Sequence, residues 1–121
     1  MFEIIKLIVN EIPSSNNKYL GRGRKGNQYE YQAEKKLWAW LILEAAKGQR
    51  QAFDGKCIVS IKYFFPTRAR RDPDNYSGKF ILDGLVGCGI LSDDSFNHVR
   101  LVLDGDYDKK NPRTEITVRE E

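Results

Sequence analysis

Lys56-Cys57-Ile58-Val59-Ser60-Ile61-Lys62-Tyr63-Phe64-Phe65 runs through Pro66-Thr67 into Arg68-Ala69-Arg70-Arg71-Asp72-Pro73-Asp74-Asn75-Tyr76-Ser77-Gly78-Lys79. The opening run alternates. Cys57, Val59, Ile61, Tyr63 and Phe65 share one face of a strand, with Ser60 and Lys62 on the other. Pro66 ends it. The charged stretch therefore leaves a strand end. It then enters a short helix predicted over 77–88, capped by Ser77, with Ile81, Leu82, Leu85 and Cys88 on its buried side. Lys79 and Asp83 lie one turn apart on another side, and Gly87 and Gly89 break the helix.

Upstream, residues 28–47 carry a helical period that puts Tyr31, Leu37, Trp38, Leu41, Ile42 and Ala45 on one arc. Glu34 intrudes on that arc, and Gly48 is a natural stop. Trp40 and Leu43 point elsewhere, toward a dimer partner or a second packing layer. The β-branched run 2–9 predicts a first strand, closed by turn formers at 13–17. Downstream, 98–107 alternates with Val99, Leu101 and Leu103 on one face. A turn over 108–112 leads to a last strand, 113–119, with Ile116 and Val118 inward, and the two strands are predicted to form a terminal hairpin. The order is β-α-β-α-β-β. It implies one domain over 1–121, of α/β class bordering on α+β, with a mixed sheet and two main helices.

The bulk numbers narrow the functional classes. A net charge of +3 is too small to argue for nucleic acid by itself, so placement decides. Cations crowd into 18–25 and 68–71, and acids into 72–74, 93–94 and 104–108. A basic rim around an acidic centre suits a polyanion approaching a cation-filled site. Cys57 and Cys88 lack metal-ligand spacing and are expected to be reduced, small core residues. No apolar run spans a membrane, and the start is too short and charged for a signal peptide, so a cytoplasmic protein with no membrane partner is expected.

Phosphodiester hydrolysis needs an activated water and relief of phosphate charge, and a divalent ion supplies both. Pro73 biases Asp72 toward extended backbone. Side chains two apart on extended chain project to one side, with Cα atoms roughly 6.5–7 Å apart, so Asp72 and Asp74 would converge. Asp94, or its neighbour Asp93, would complete the set from the second loop. With no His or Cys in the cluster, an oxygen-only site for a hard ion is favoured over zinc. Lys79, near a helix start, would stabilise developing charge. Arg68, Arg70 and Arg71 would hold a DNA backbone, and so would Lys18, Arg22, Arg24 and Lys25 of a glycine-spaced basic loop. His98 is expected to be a strand residue without a catalytic part. Asp104, Asp106 and Asp108 lack the glycine and terminal glutamate of a calcium loop and are expected at a hairpin end. Asp-x-Asp turns and wet arginine runs are common, so the motif alone leaves a structural role open.

The combination Pro13-Ser14-Ser15-Asn16-Asn17-Lys18-Tyr19, Arg70-Arg71-Asp72-Pro73-Asp74-Asn75, Lys79, Asp83-Gly84-Leu85, Gly89 and Asp93-Asp94 resembles the RusA family of Holliday junction resolvases, found in bacteria and often on phages or prophages. The resemblance implies Mg²⁺ as cofactor, with Mn²⁺ as a substitute, held by Asp72, Asp74 and Asp94. It also implies Lys79 as the essential lysine and Arg71 as the arginine ahead of the first aspartate. It implies a homodimer that nicks four-way DNA junctions in pairs, with no small-molecule cofactor. In the family pattern the lysine follows the asparagine by three residues. Here the spacing is four, and Gly78 is placed to absorb the extra residue as a bulge before the helix. Two other readings stand beside this one: a non-catalytic DNA-binding module, and a nuclease of broader taste for branched DNA.

Overall fold

The computed structural model describes residues 4–16, 25–47, 49, 53 and 55–121, with the side chains of 25–27 outside that description. Four strands and two helices follow in the order β1 (Ile4–Val9), α1 (Lys25–Ala45), β2 (Cys57–Phe65), α2 (Lys79–Gly87), β3 (Val99–Tyr107) and β4 (Arg113–Glu120). The strands form one mixed sheet in the order β1-β4-β2-β3.

The alternation of β2 holds over its whole length: Cys57, Val59, Ile61, Tyr63 and Phe65 are buried on one face. Ile5, Leu7 and Val9 of β1 and Ile116 and Val118 of β4 continue that face. Trp38, Ile42 and Ala46 from α1 and its end, with Phe80, Ile81 and Leu85 from α2, pack onto it. The helices meet closely because Gly84 carries no side chain. A Cβ there would lie 2.9 Å from Ile42 Cγ1. The other face of the sheet, with Lys6, Lys62, Val102 and Arg119, carries no helix among the described residues. Cys57 and Cys88 are both free, and burial pushes the Cys57 thiol up, with nearby Glu120 adding to the shift. No described helix is long and apolar enough to cross a membrane.

The terminal hairpin does not form. β3 runs parallel to β2, pairing Cys57 with Val99 through Phe65 with Tyr107. β4 lies on the far side of β2, antiparallel to both β1 and β2. The connection crosses the end of β2, where the Asp108 N–H donates to the Phe65 carbonyl at 2.9 Å. Asp108 then accepts from Lys110 N, Asn111 N and Arg113 Nη1, which tightens the turn. A short turn fits a hairpin and a one-strand skip equally. Burial separates them, since Thr114, Ile116 and Val118 are fully enclosed while Leu101 and Val102 are exposed. Asp104 and Asp106 therefore sit on an edge strand beside Lys62, not at a hairpin end.

Smaller differences have local causes. α1 starts at Lys25, earlier than the apolar period implies. Leu37 is exposed, since the buried line runs through Trp38, Ile42 and Ala46. Glu34 is explained by its partner: its carboxylate accepts from Ser14 N (2.6 Å) and Ser14 Oγ (2.7 Å), tying the loop after β1 to α1. Ser77 does not cap α2. The N-cap is Gly78, and Ser77 Oγ accepts instead from Asn16 Nδ2. Gly48, Lys18, Arg22 and Arg24 lie outside the described residues.

Candidate active site

Asp72 is the last extended residue of the basic-acidic segment, at φ −107° and ψ 141°. Pro73–Asn75 then closes a single 3₁₀ turn, with Asn75 N donating to the Asp72 carbonyl at 3.0 Å. Asp74 consequently stands on a helical turn. The extended same-side geometry expected for the two carboxylates ends at Asp72. Asp72 lines the pocket at the end of β2, and Asp74 is exposed. Asn16 braces the segment from afar, donating to the Asp74 carbonyl (3.0 Å) and to Ser77 Oγ (3.1 Å). Tyr76 anchors its far side against the rings of Tyr63 and Phe65.

The arginines divide into builders and exposed groups. Arg71 donates to Thr67 O, Ala69 O and Thr67 Oγ1 and stacks over Phe65 at 4.4 Å, so it shapes the loop that carries Asp72. Arg68 lies over the Tyr107 ring at 4.3 Å. Arg70 projects outward and reaches Asp72 Oδ1 at 3.2 Å. A pocket of about 190 Å³ opens here, lined by Tyr63, Phe65, Arg71, Asp72, Tyr76 and Asp104 among others. Tyr63 Oη is buried at this level with no hydrogen-bond partner among the described residues. Burial and the nearby Tyr76 push its phenol well above the usual range.

Gly78 begins α2 at φ +80°, the left-handed region, which permits the tight entry that sets Lys79. A side chain there would also strike Ile61 Cδ1, 2.6 Å from an added Cβ. Lys79 Nζ is 3.9 Å from Asp83 Oδ2, one helical turn on. That oxygen is buried and accepts no hydrogen bond among the described residues.

Asp93 and Asp94 occupy the turn before β3. Asp93 Oδ1 accepts from Asp94 N at 2.8 Å, and Asp93 Oδ2 lies 3.7 Å from His98 Nδ1. His98 also contacts Ser95 Oγ at 2.9 Å, so it belongs to this turn and not to the strand. Its carbonyl accepts from Cys57 N, which fixes the turn at the start of β2. Asp72, by contrast, shares its pocket with Gly105, which pairs with Tyr63. Six rows of parallel ladder, about 20 Å of strand, separate the Cys57 row from the Tyr63 row. Among the described residues no three His, Cys, Asp or Glu side chains gather closely enough to hold an ion. One chain thus offers hard-oxygen donors suited to Mg²⁺ in two separate places and does not close them around an ion.

Sequence reasoning missed Asp104 and Tyr63 as neighbours of Asp72. Asp104 is brought there only by the parallel register of β3, which no local pattern signals. Tyr63 is visible as an inward residue of β2, but its free hydroxyl is not.

A one-faced mixed sheet that presents Asp-Pro-Asp-Asn among arginines defines a small α/β domain with a surface-exposed acidic site. The chain matches the model of the family Endodeoxyribonuclease RusA over residues 10–119, nearly its whole length, and it belongs to that family of nucleases. Comparison with curated proteins returns no match.

Proposed function

We propose that this chain resolves Holliday junctions as a Mg²⁺-dependent homodimer, nicking two opposed strands of a four-way junction. The observation that carries the reading is the family match coupled to the braced Arg68–Asn75 segment, which holds Asp72 and Asp74 at the sheet end beside outward arginines. A junction with two-fold symmetry is matched by two related sites on a two-fold dimer. The divalent ion, when bound, supplies an activated water and relieves phosphate charge. Asp72 and Asp74 would be its donors from one loop, with Asp94 or Asp93 contributing from the other. Since one chain keeps these apart, a second copy is the natural source of the missing carboxylate. Arg70 and Arg68 grip phosphates, Arg71 maintains the loop, and Lys79 lies exposed at the start of α2 for a phosphate oxygen. Junction selectivity comes from DNA shape, with phosphate contacts dominating affinity.

The test uses a synthetic four-way junction with Mg²⁺ or with EDTA, alongside a simple fork and a linear duplex. Metal-dependent paired nicks in the junction alone support the reading. Retarded but uncut junction makes the protein a binding module. Equal cutting of the fork broadens its substrate to branched DNA in general.

A further inference from the structure

Gly105 is an unexpected residue for its place in β3. Leu103 before it and Tyr107 after it are half-buried on the helix-covered side of the sheet, and Gly105 between them carries no side chain. A glycine inside a strand weakens it and often marks a place where a ligand comes close to the backbone. Gly105 pairs with Tyr63 in the parallel register, so the missing side chain leaves the space beside that ring open. That space is the pocket of about 190 Å³ at Asp72.

The pocket walls are preformed. The rings of Tyr63, Phe65 and Tyr76 pack on one another with centroids 5.1–5.8 Å apart, and Arg71 stacks on Phe65. The Asp104 carboxylate takes no part, since it accepts from Gly105 N and lies 3.9 Å from Lys62 on the open face. Drug-sized sites enclose roughly 300–1,000 Å³, so this smaller one suits a single ring system. Aromatic and guanidinium surfaces suit the flat face of a nucleobase. One polar group is left over inside: Tyr63 Oη is buried and has no hydrogen-bond partner among the described residues. Burying a hydroxyl unpaired costs stability, so its partner is expected from a molecule that enters. Burial, and then Tyr76, push the phenol up, so it remains a hydroxyl able to donate and accept.

We propose that this pocket receives one nucleobase unstacked from the cut strand at the branch point, with the Tyr63 hydroxyl bonding to its edge. The assignment rests on the nuclease reading above. Asp72 lines the same pocket, so the phosphate of the seated nucleotide comes to the acidic site. Unstacking a base is costly within continuous duplex and cheapest where stacking is already interrupted, as at a crossover. The pocket itself therefore favours branched over linear DNA.

The test places 2-aminopurine, which brightens on unstacking, in turn at each branch-point position of a synthetic junction. In EDTA, saturating wild-type protein is expected to brighten one position. Gly105→Leu fills the pocket and should abolish that signal. Gly105→Ala adds a Cβ 3.4 Å from Phe65 Cε2, an ordinary contact, and should reduce the signal in a chain that still folds. Tyr63→Phe removes an unpaired hydroxyl, so it should melt at or above the wild-type temperature. In Mg²⁺ it should nevertheless cut roughly three- to tenfold more slowly, the worth of one neutral hydrogen bond. An abasic site at the brightening position should erase that difference between Tyr63→Phe and wild type. A lower melting temperature for Tyr63→Phe means that the hydroxyl is already paired within the chain, and overturns the inference. Wild-type brightening in both folded Gly105 variants also overturns it, and equal brightening within a linear duplex overturns the branch-point assignment. Paired nicking with no brightening at any position removes only this subsite. Brightening without nicking keeps the subsite and removes the nuclease reading.

Discussion

The two acidic segments are built in opposite ways. Asp72–Asn75 is held by residues remote in sequence: Asn16 from the loop after β1, and the rings of Tyr63 and Phe65 from β2. The Asp93–Asp94 turn is held by itself, through Asp94 N, Ser95 and His98. The first can be placed only by the whole fold. The second is a locally bonded turn, set at one end of β2 by the Cys57 N–H to the His98 carbonyl and by buried Ile90 and Leu91 just before it. The difference teaches that the rigid element is the one that also carries the arginines, and the carboxylates of the local turn need only be brought to it.

The sharpest way to break this comparison is to neutralise each segment. Asp72→Asn and Asp94→Asn are each expected to cut junction cleavage on the order of 10²–10³-fold, the scale for losing one group that acts on transition-state charge. Junction binding in a gel shift should hold or improve, because a negative charge beside phosphate is removed. Normal cleavage by Asp94→Asn would reduce the second segment to scaffold. Gly78→Ala should cost about 1–3 kcal/mol in denaturant unfolding, from left-handed strain together with the clash on Ile61. Unchanged stability would mean that α2 can start otherwise. Asn16→Ala removes two long-range bonds, each worth about 0.5–1.5 kcal/mol. It should lower cleavage more than His98→Ala does, and the reverse order would invert the assignment of rigid and local segments.

The smallest effect concerns the crossover beside the first segment. Arg113, followed by the Asn111 and Lys110 N–H groups, holds the Asp108 carboxyl below its usual range. A depressed carboxylate contributes stability above the unfolded value of about 3.9 and loses it as pH falls through the folded value. The melting-temperature advantage of wild type over Asp108→Asn should therefore be constant at neutral pH and shrink below about pH 4. An advantage that persists in acid would deny the carboxylate this part.

Much of this was legible before any coordinates. β2 was readable because alternation and a terminal proline agree, and α2 because Ile81 and Leu85 sit one turn apart. The extra residue before Lys79 pointed to Gly78 as a place where the backbone departs from the ordinary, but its part as the left-handed N-cap of α2, expected of Ser77, was not readable. The sheet order was not readable, since the turn over 108–112 suits a hairpin and a skip alike, and only enclosure of β4 tells them apart. Leu37 misled because its arc borders the buried line without belonging to it. The carboxylate geometry was half right. Pro73 does extend Asp72, but Asn75 folding back on the Asp72 carbonyl turns Asp74 onto a different axis.

The skip that inserts β4 between β1 and β2 has a consequence for assembly of the molecule. Among the described residues β1 pairs only with β4, so the earliest strand is not secured in the sheet until the latest one has formed. Sequence-distant pairing of this kind is slow, because closure of the long intervening chain precedes any gain from contact. A nascent chain halted before residue 113 leaves both β1 and one flank of β2 without strand partners. Competence therefore arrives all at once, when the last strand slides into the middle.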